Sequence, residues 1–163
     1  MLLRLIIGPM LFTHGYNKVF GKGGLQGTTG WFDSLGLKPA WVHARMAAAT
    51  EMGAGTLLTL GAASPLPAAA TIGLMATAAR TDHKGKGFFV FKGGWEYTGV
   101  IAGVCAVIAA IGPGRYSVDG LRGRARRGWV WALLAVVAGA AASTGLLAAS
   151  YRPDEKPVDD EIQ

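Results

Sequence analysis

The chain has 163 residues, of which 51% are hydrophobic and only 16% charged, and its mean hydropathy is +0.33. Apolar runs of this length do not suit a soluble fold of this size, so the composition points to an integral membrane protein. The net charge of +6 could suggest nucleic acid, but no soluble domain exists to present a basic face, and the charges sit in short loops where they set topology.

Five predominantly apolar segments follow in chain order, at 2–20, 41–63, 65–80, 94–112 and 128–151. Each comes near the ~20 residues a helix needs to cross hydrocarbon. The first runs into "HGYNKVFGKGG" rather than a small-residue cleavage site, so Met1 to Phe20 is expected to stay as a helix. Between the first two segments, "GKGGLQGTTGWF" has no apolar period and many glycines, and reads as a compact loop with free backbone N–H groups. It lacks the GK[ST] ending of a nucleotide loop. The second loop, "TDHKGKGFFVFKGGW", has similar composition, and the two are expected to cover a common pocket through Gly23, Gly24, Gly93 and Gly94.

The third segment is the shortest and would reach the headgroups through Arg80. Small residues recur at helix-packing spacing, as at Gly99 and Gly103 or Ala135 and Gly139. The runs do not alternate as the strands of a spanning β-barrel would. Cys105 is the only cysteine and lies mid-segment, so no disulfide or CxxC pair exists and core packing is its expected role. No metal-ligand spacing appears.

If all five segments cross, the N-terminus and "GPGRYSVDGLRGRARRG" share one side, and the glycine-rich loops and the tail share the other. The compact arginine cluster favours a cytoplasmic side for loop 112–128, although the basic residues of the two sides taken in total do not decide it. Depth then sorts the ionisable groups. His14 and Lys18 close the first helix, Glu51 lies in the second, Arg80 and His83 close the third, and Glu96 opens the fourth, all toward one side. Charged groups in hydrocarbon cost at least a few kcal/mol each, so they turn inward and pair or line a wet cavity. The expectation is one polar pocket of His14, Asn17, Lys18, Glu51, Arg80, His83 and Glu96. Glu51 needs a partner from another helix, for which Arg80, Lys18 and His14 are candidates. Bracing of helix register is the alternative role for such a pair.

"HGYNK" followed by "GG", a glutamate in the second helix, then "HKGKGFF", "GGWEY" and "GPGRYSVDG", in that order over about residues 4–121, resemble the DoxX family of small bacterial membrane proteins. The resemblance implies an all-α fold: a four-helix transmembrane bundle over 1–121, to which a basic loop and fifth transmembrane helix (122–151) and an acidic polar tail (152–163) are added. It also implies a multi-pass protein of the bacterial plasma membrane that partners redox chemistry. The family is similar to the membrane subunit of an archaeal thiosulfate:quinone oxidoreductase, and a mycobacterial member works with a sulfurtransferase and a superoxide dismutase. His14, Lys18, Gly23, Gly24, Glu51, His83, Gly94 and Glu96 occupy patterned family positions, with no role attached to any of them. The resulting expectation is an accessory subunit of an oxidoreductase complex, with a protein partner and a quinone as possible ligand. A non-catalytic scaffold is the alternative. A transporter is harder to build from five short helices without a visible repeat.

Overall fold

The computed structural model describes residues 1–153, so the acidic-tail expectation falls almost wholly outside the described residues. Within them the chain is entirely helical: α1 (Leu2–Phe20), α2 (Gly24–Ser34), α3 (Ala40–Leu60), α4 (Leu66–Arg80), α5 (Glu96–Ile111), the single turn α6 (Val118–Leu121) and α7 (Trp129–Ser150). Among the described residues only α7 is both long and apolar enough to cross a membrane by length and composition alone. α1 and α3 have comparable length, but Arg4, His14 and Lys18 interrupt the one and Arg45 and Glu51 the other.

Helix α2 corrects the expectation of a compact loop between the first two apolar segments. Gly23, with φ +88, breaks the chain after α1, yet Gly27 and Gly30 take helical φ and have open space around them. Tertiary burial outweighs poor propensity here. Thr28 and Phe32 face inward, and Thr28 Oγ1 lies 2.9 Å from the Lys18 carbonyl, which lacks a helical partner at the end of α1. Phe32 then packs with Leu37, Ala40, Ala44, Ala47 and Leu147.

The principal core joins Ile7 and Leu11 of α1, Leu58 of α3, Ile72 and Met75 of α4, Ile101, Cys105 and Ile108 of α5, and Ala135 of α7. Cys105 is fully buried there, as a small apolar side chain is expected to be. α1 packs mainly on α3, whereas α4, α5 and α7 pack on one another. Of the small-residue pairs, Ala135 and Gly139 lie buried on α7, with Gly139 against the Gly73 backbone of α4; a Cβ at Gly103 would meet nothing within 4 Å. The outward faces are apolar too: Ile6 is 62% exposed, Val100 58%, Leu133 52% and Val137 56%.

The helix ends gather into two groups, as the chain order implies. At one end are Met1, the α3–α4 turn and the 112–128 loop; Arg4 joins them by donating to the carbonyls of Thr59, Pro113 and Tyr116. At the other end α2 and the 81–95 loop meet the end of α7, where Leu37 bridges Tyr151 and the Lys38 N–H donates to the Ser150 carbonyl at 2.8 Å.

Candidate functional site

The α1–α3 seam explains how a lysine and a glutamate meet below the surface. A Cβ on Gly15 would stand 2.7 Å from the Ala48 carbonyl oxygen and 2.9 Å from Glu51 Cβ, so only glycine lets α1 approach this closely. Lys18, one turn later on α1, then reaches Glu51. Its Nζ lies 2.9 Å from Oε1 and 2.7 Å from Oε2. The glutamate side chain is 8% exposed and the lysine 16%. Only the Oε1 contact has hydrogen-bond alignment; Oε2 is buried and close to the ammonium but has no aligned donor among the described residues. A buried carboxylate accommodates several donors, so one oxygen here retains hydrogen-bonding capacity.

Around this pair stand groups of intermediate polarity. The Lys18 ammonium lies over the Trp31 ring, 5.9 Å from its centroid, which ties α2 to the pair. His14 and Tyr97 meet where α1 faces α5, with Tyr97 Oη 3.4 Å from His14 Nε2 and 3.4 Å from Met10 Sδ. Both rings are exposed on the outer side of that seam, and both are within electrostatic reach of Glu51. The Tyr97 hydroxyl donates to Met10 Sδ and pairs with His14 Nε2 in a direction set by the imidazole tautomer; both contacts are long, so neither bond is strong. Phe12, Tyr16 and Phe20 stack along a neighbouring stripe of α1.

The other sequence-predicted residues separate. Asn17 is exposed, and its carbonyl accepts the Gly21 N–H that ends α1, so it stands beside the ion pair without joining it. Arg80 points to α7, where Nη1 donates to Thr144 Oγ1 at 2.9 Å, and so it does not serve Glu51. Arg45 donates to the Trp41 carbonyl and lies over that residue's ring. His83 Nδ1 lies 2.6 Å from the Gly93 carbonyl, which ties the 81–95 loop to itself, and Glu96 Oε2 accepts the Val90 N–H at 3.0 Å, which ties that loop to the start of α5. Gly94 is buried against the Phe88 backbone and Gly93 takes φ +79, so these two shape that loop, while Gly23 and Gly24 start a helix.

Two features escaped the sequence. Tyr97 is neutral and follows the charged Glu96, and only the packing of α5 beside α1 brings its hydroxyl to His14. His43 is buried and lines an apolar cleft of about 210 Å³ with Phe32, Met46, Thr50, Gly73 and Ser143, between α3, α4 and α7. That cleft runs along the stripe of α3 next to Glu51 and does not include the carboxylate.

The described residues form an all-helical protein with apolar outer faces and a buried lysine–glutamate pair, and the family they match is one of membrane-associated proteins. The DoxX family model matches residues 1–84, just over half of the sequence and the half that carries both members of the pair, and the chain belongs to that family. No curated protein and no solved structure matches it.

Proposed function

We propose that the chain is a multi-pass membrane subunit of an oxidoreductase assembly, with α1, α3, α4, α5 and α7 crossing the bilayer, and that the cluster of His14, Lys18, Glu51 and Tyr97 receives a quinone headgroup. The apolar outer faces support the first part, because a water-soluble surface rarely carries apolar patches on this scale. α4 and α5, with 15 and 16 residues, are short for a bilayer. Their flanking segments, with Arg80, Trp95 and Tyr116, supply the interfacial reach.

The observation that carries the second part is the Glu51 carboxylate: buried, held by one ammonium, and left with one oxygen without an aligned donor beside an open histidine–tyrosine contact. These groups fit the ligand class. His14 and Tyr97 offer hydrogen-bond donors from the lipid-facing side of the α1–α5 seam, which suits a carbonyl oxygen carried by an apolar molecule. Glu51 can hold or release a proton, with Lys18 stabilising its charged form. A bound quinone supplies two-electron carrier chemistry. The described residues contain no His/Cys/Asp/Glu group able to hold a metal, and in this reading the electrons arrive from a partner subunit.

A second reading keeps the membrane placement but makes the pair a brace and the chain a scaffold. The direct Lys18–Glu51 contact favours it, since a buried pair of this kind can serve helix register alone. Purification in native lipid discs, followed by mass spectrometry for quinone and protein, separates the two. The quinone reading expects quinone with the wild type and its loss in a folded Glu51→Gln protein. Only protein partners, with the variant merely less stable, would make the chain a scaffold.

A further inference from the structure

The 112–128 loop, at the far end from Glu51, carries five arginines: Arg115, Arg122, Arg124, Arg126 and Arg127. All are exposed, and none forms an ion pair among the described residues. The loop's own carboxylate is already engaged, since Asp119 accepts the Ala63 N–H at 3.1 Å and the Ser64 N–H at 2.8 Å. A charge cluster that only set topology would need no fixed shape. This one has a shape.

The Asp119 N–H donates to the Gly61 carbonyl, the Arg124 N–H returns to the Asp119 carbonyl at 2.8 Å, and the Gly128 N–H donates to the Ala110 carbonyl at 2.7 Å. The returning arm is thereby folded against the end of α5. It leaves a cavity of about 360 Å³, lined by Ile111, Gly112, Pro113, Ala125 and, on its walls, Arg115 and Arg127. Arg115 lies over the Tyr116 ring at 5.2 Å and Arg126 over Trp131 at 5.1 Å, which steadies both guanidinium groups. Ile111, at the end of α5, gives the cavity an exposed apolar rim, and Leu121 and Trp129 are exposed apolar residues of the same connection and of the start of α7.

We propose that this cavity is a binding site for the phosphodiester headgroup of an anionic phospholipid. Arg115 and Arg127 bring two planar, multiply donating cations to one cavity, a chemistry suited to a phosphodiester. The acyl chains then run along the apolar faces of α5, which ends at the cavity, and α7, which begins just after the loop that lines it. Free phosphate shares the charge but has no use for that apolar rim. The site rests on the membrane placement of the chain and is independent of the quinone reading.

The test is native mass spectrometry of protein released from discs of phosphatidylcholine and phosphatidylglycerol. Three proteins are compared: wild type, Arg115→Gln/Arg127→Gln, and the charge-matched Arg122→Gln/Arg124→Gln. Wild type is expected to retain phosphatidylglycerol, the first pair to lose about thirtyfold in affinity, and the second pair to stay within a few-fold. Equal loss in both pairs, or no retained lipid in wild type, would overturn the site. So would equal protection of wild type in pure phosphatidylcholine discs by inorganic phosphate, which would make the occupant a free anion. Should the first pair fail to fold, Arg115→Lys/Arg127→Lys keeps the charge and is expected to lose part of the affinity; full retention would overturn the bidentate geometry. Extraction of wild type from membranes by alkaline carbonate alone would instead refute the membrane placement.

Discussion

The two ends of the helix bundle treat their buried charges differently. At one end Arg4, 5% exposed, forms no ion pair among the described residues, and its guanidinium is spread over three backbone carbonyls, one from the last turn of α3 and two from the connection after α5. Asp119 complements it by accepting two backbone N–H groups of the α3–α4 turn. Both side chains satisfy main-chain groups of a helix end and of the connections beside it, which would otherwise be left without partners. At the other end Lys18 and Glu51 serve each other, leave one carboxylate oxygen without an aligned donor, and sit beside exposed rings. Charge bound to backbone locks a fold, whereas charge bound to charge with capacity to spare can take on a ligand.

Removing the lock should have the largest effect. Arg4→Met strands three carbonyls at once, with charged-donor hydrogen bonds contributing about 1.5–3 kcal/mol each before any relaxation. A loss of about 3–5 kcal/mol is expected, read as a drop of many degrees in the unfolding midpoint in mild detergent. A change of only a degree or two would show that the clamp is ornamental. Asp119→Ala should come next, at about 1–3 kcal/mol, because Ala63 and Ser64 lose their acceptors in a partly buried turn. Limited proteolysis checks it by the appearance of cleavage in the 112–128 loop; unchanged resistance would mean that the loop is held by other contacts.

How much of this contrast can be read from sequence depends on the range of the interaction. Apolar length marks the five long helices within a few residues, and Glu51 announces its need for a partner because no cation lies within a turn of it. The choice of Lys18 over Arg80 does not follow from depth. It depends on which helices touch, and that is fixed by Gly15 packing on Ala48, a contact between residues far apart in sequence. α2 is hidden for a different reason: its glycines suggest a loop, and only the burial of Thr28 and Phe32 on distant surfaces makes it helical. Arg4 stands out as an isolated charge, yet nothing local indicates that its partners are carbonyls from residues 59, 113 and 116.

The lysine–glutamate pair can be broken in a way that sorts bracing from binding. Glu51→Gln leaves the Lys18 ammonium partly buried without its counter-charge and should cost about 1–3 kcal/mol, less than loss of the Arg4 clamp. Lys18→Met/Glu51→Gln removes both charges, and a neutral pair of similar size should recover most of that stability. If the pair only braces the seam, the double variant regains everything, including any partner complex. The quinone reading expects recovered stability with quinone still absent from the purified protein.

The smallest expected effect on stability discriminates most finely. Tyr97→Phe removes one hydroxyl whose contacts to His14 and Met10 are both 3.4 Å, and the ring keeps its place, so the unfolding midpoint should hardly move. A brace has no use for so weak a contact, and on that reading Tyr97→Phe is silent in every assay. On the quinone reading the hydroxyl is a donor to the ligand, and its removal should weaken retention by about tenfold, the worth of one ordinary hydrogen bond. Tritiated or fluorescent quinone binding in discs reads this directly, with His14→Phe as its companion. Loss in both variants with unchanged midpoints would place the ligand at the α1–α5 seam, whereas unchanged binding in both would move the search to the neighbouring cleft bordered by His43 and Thr50.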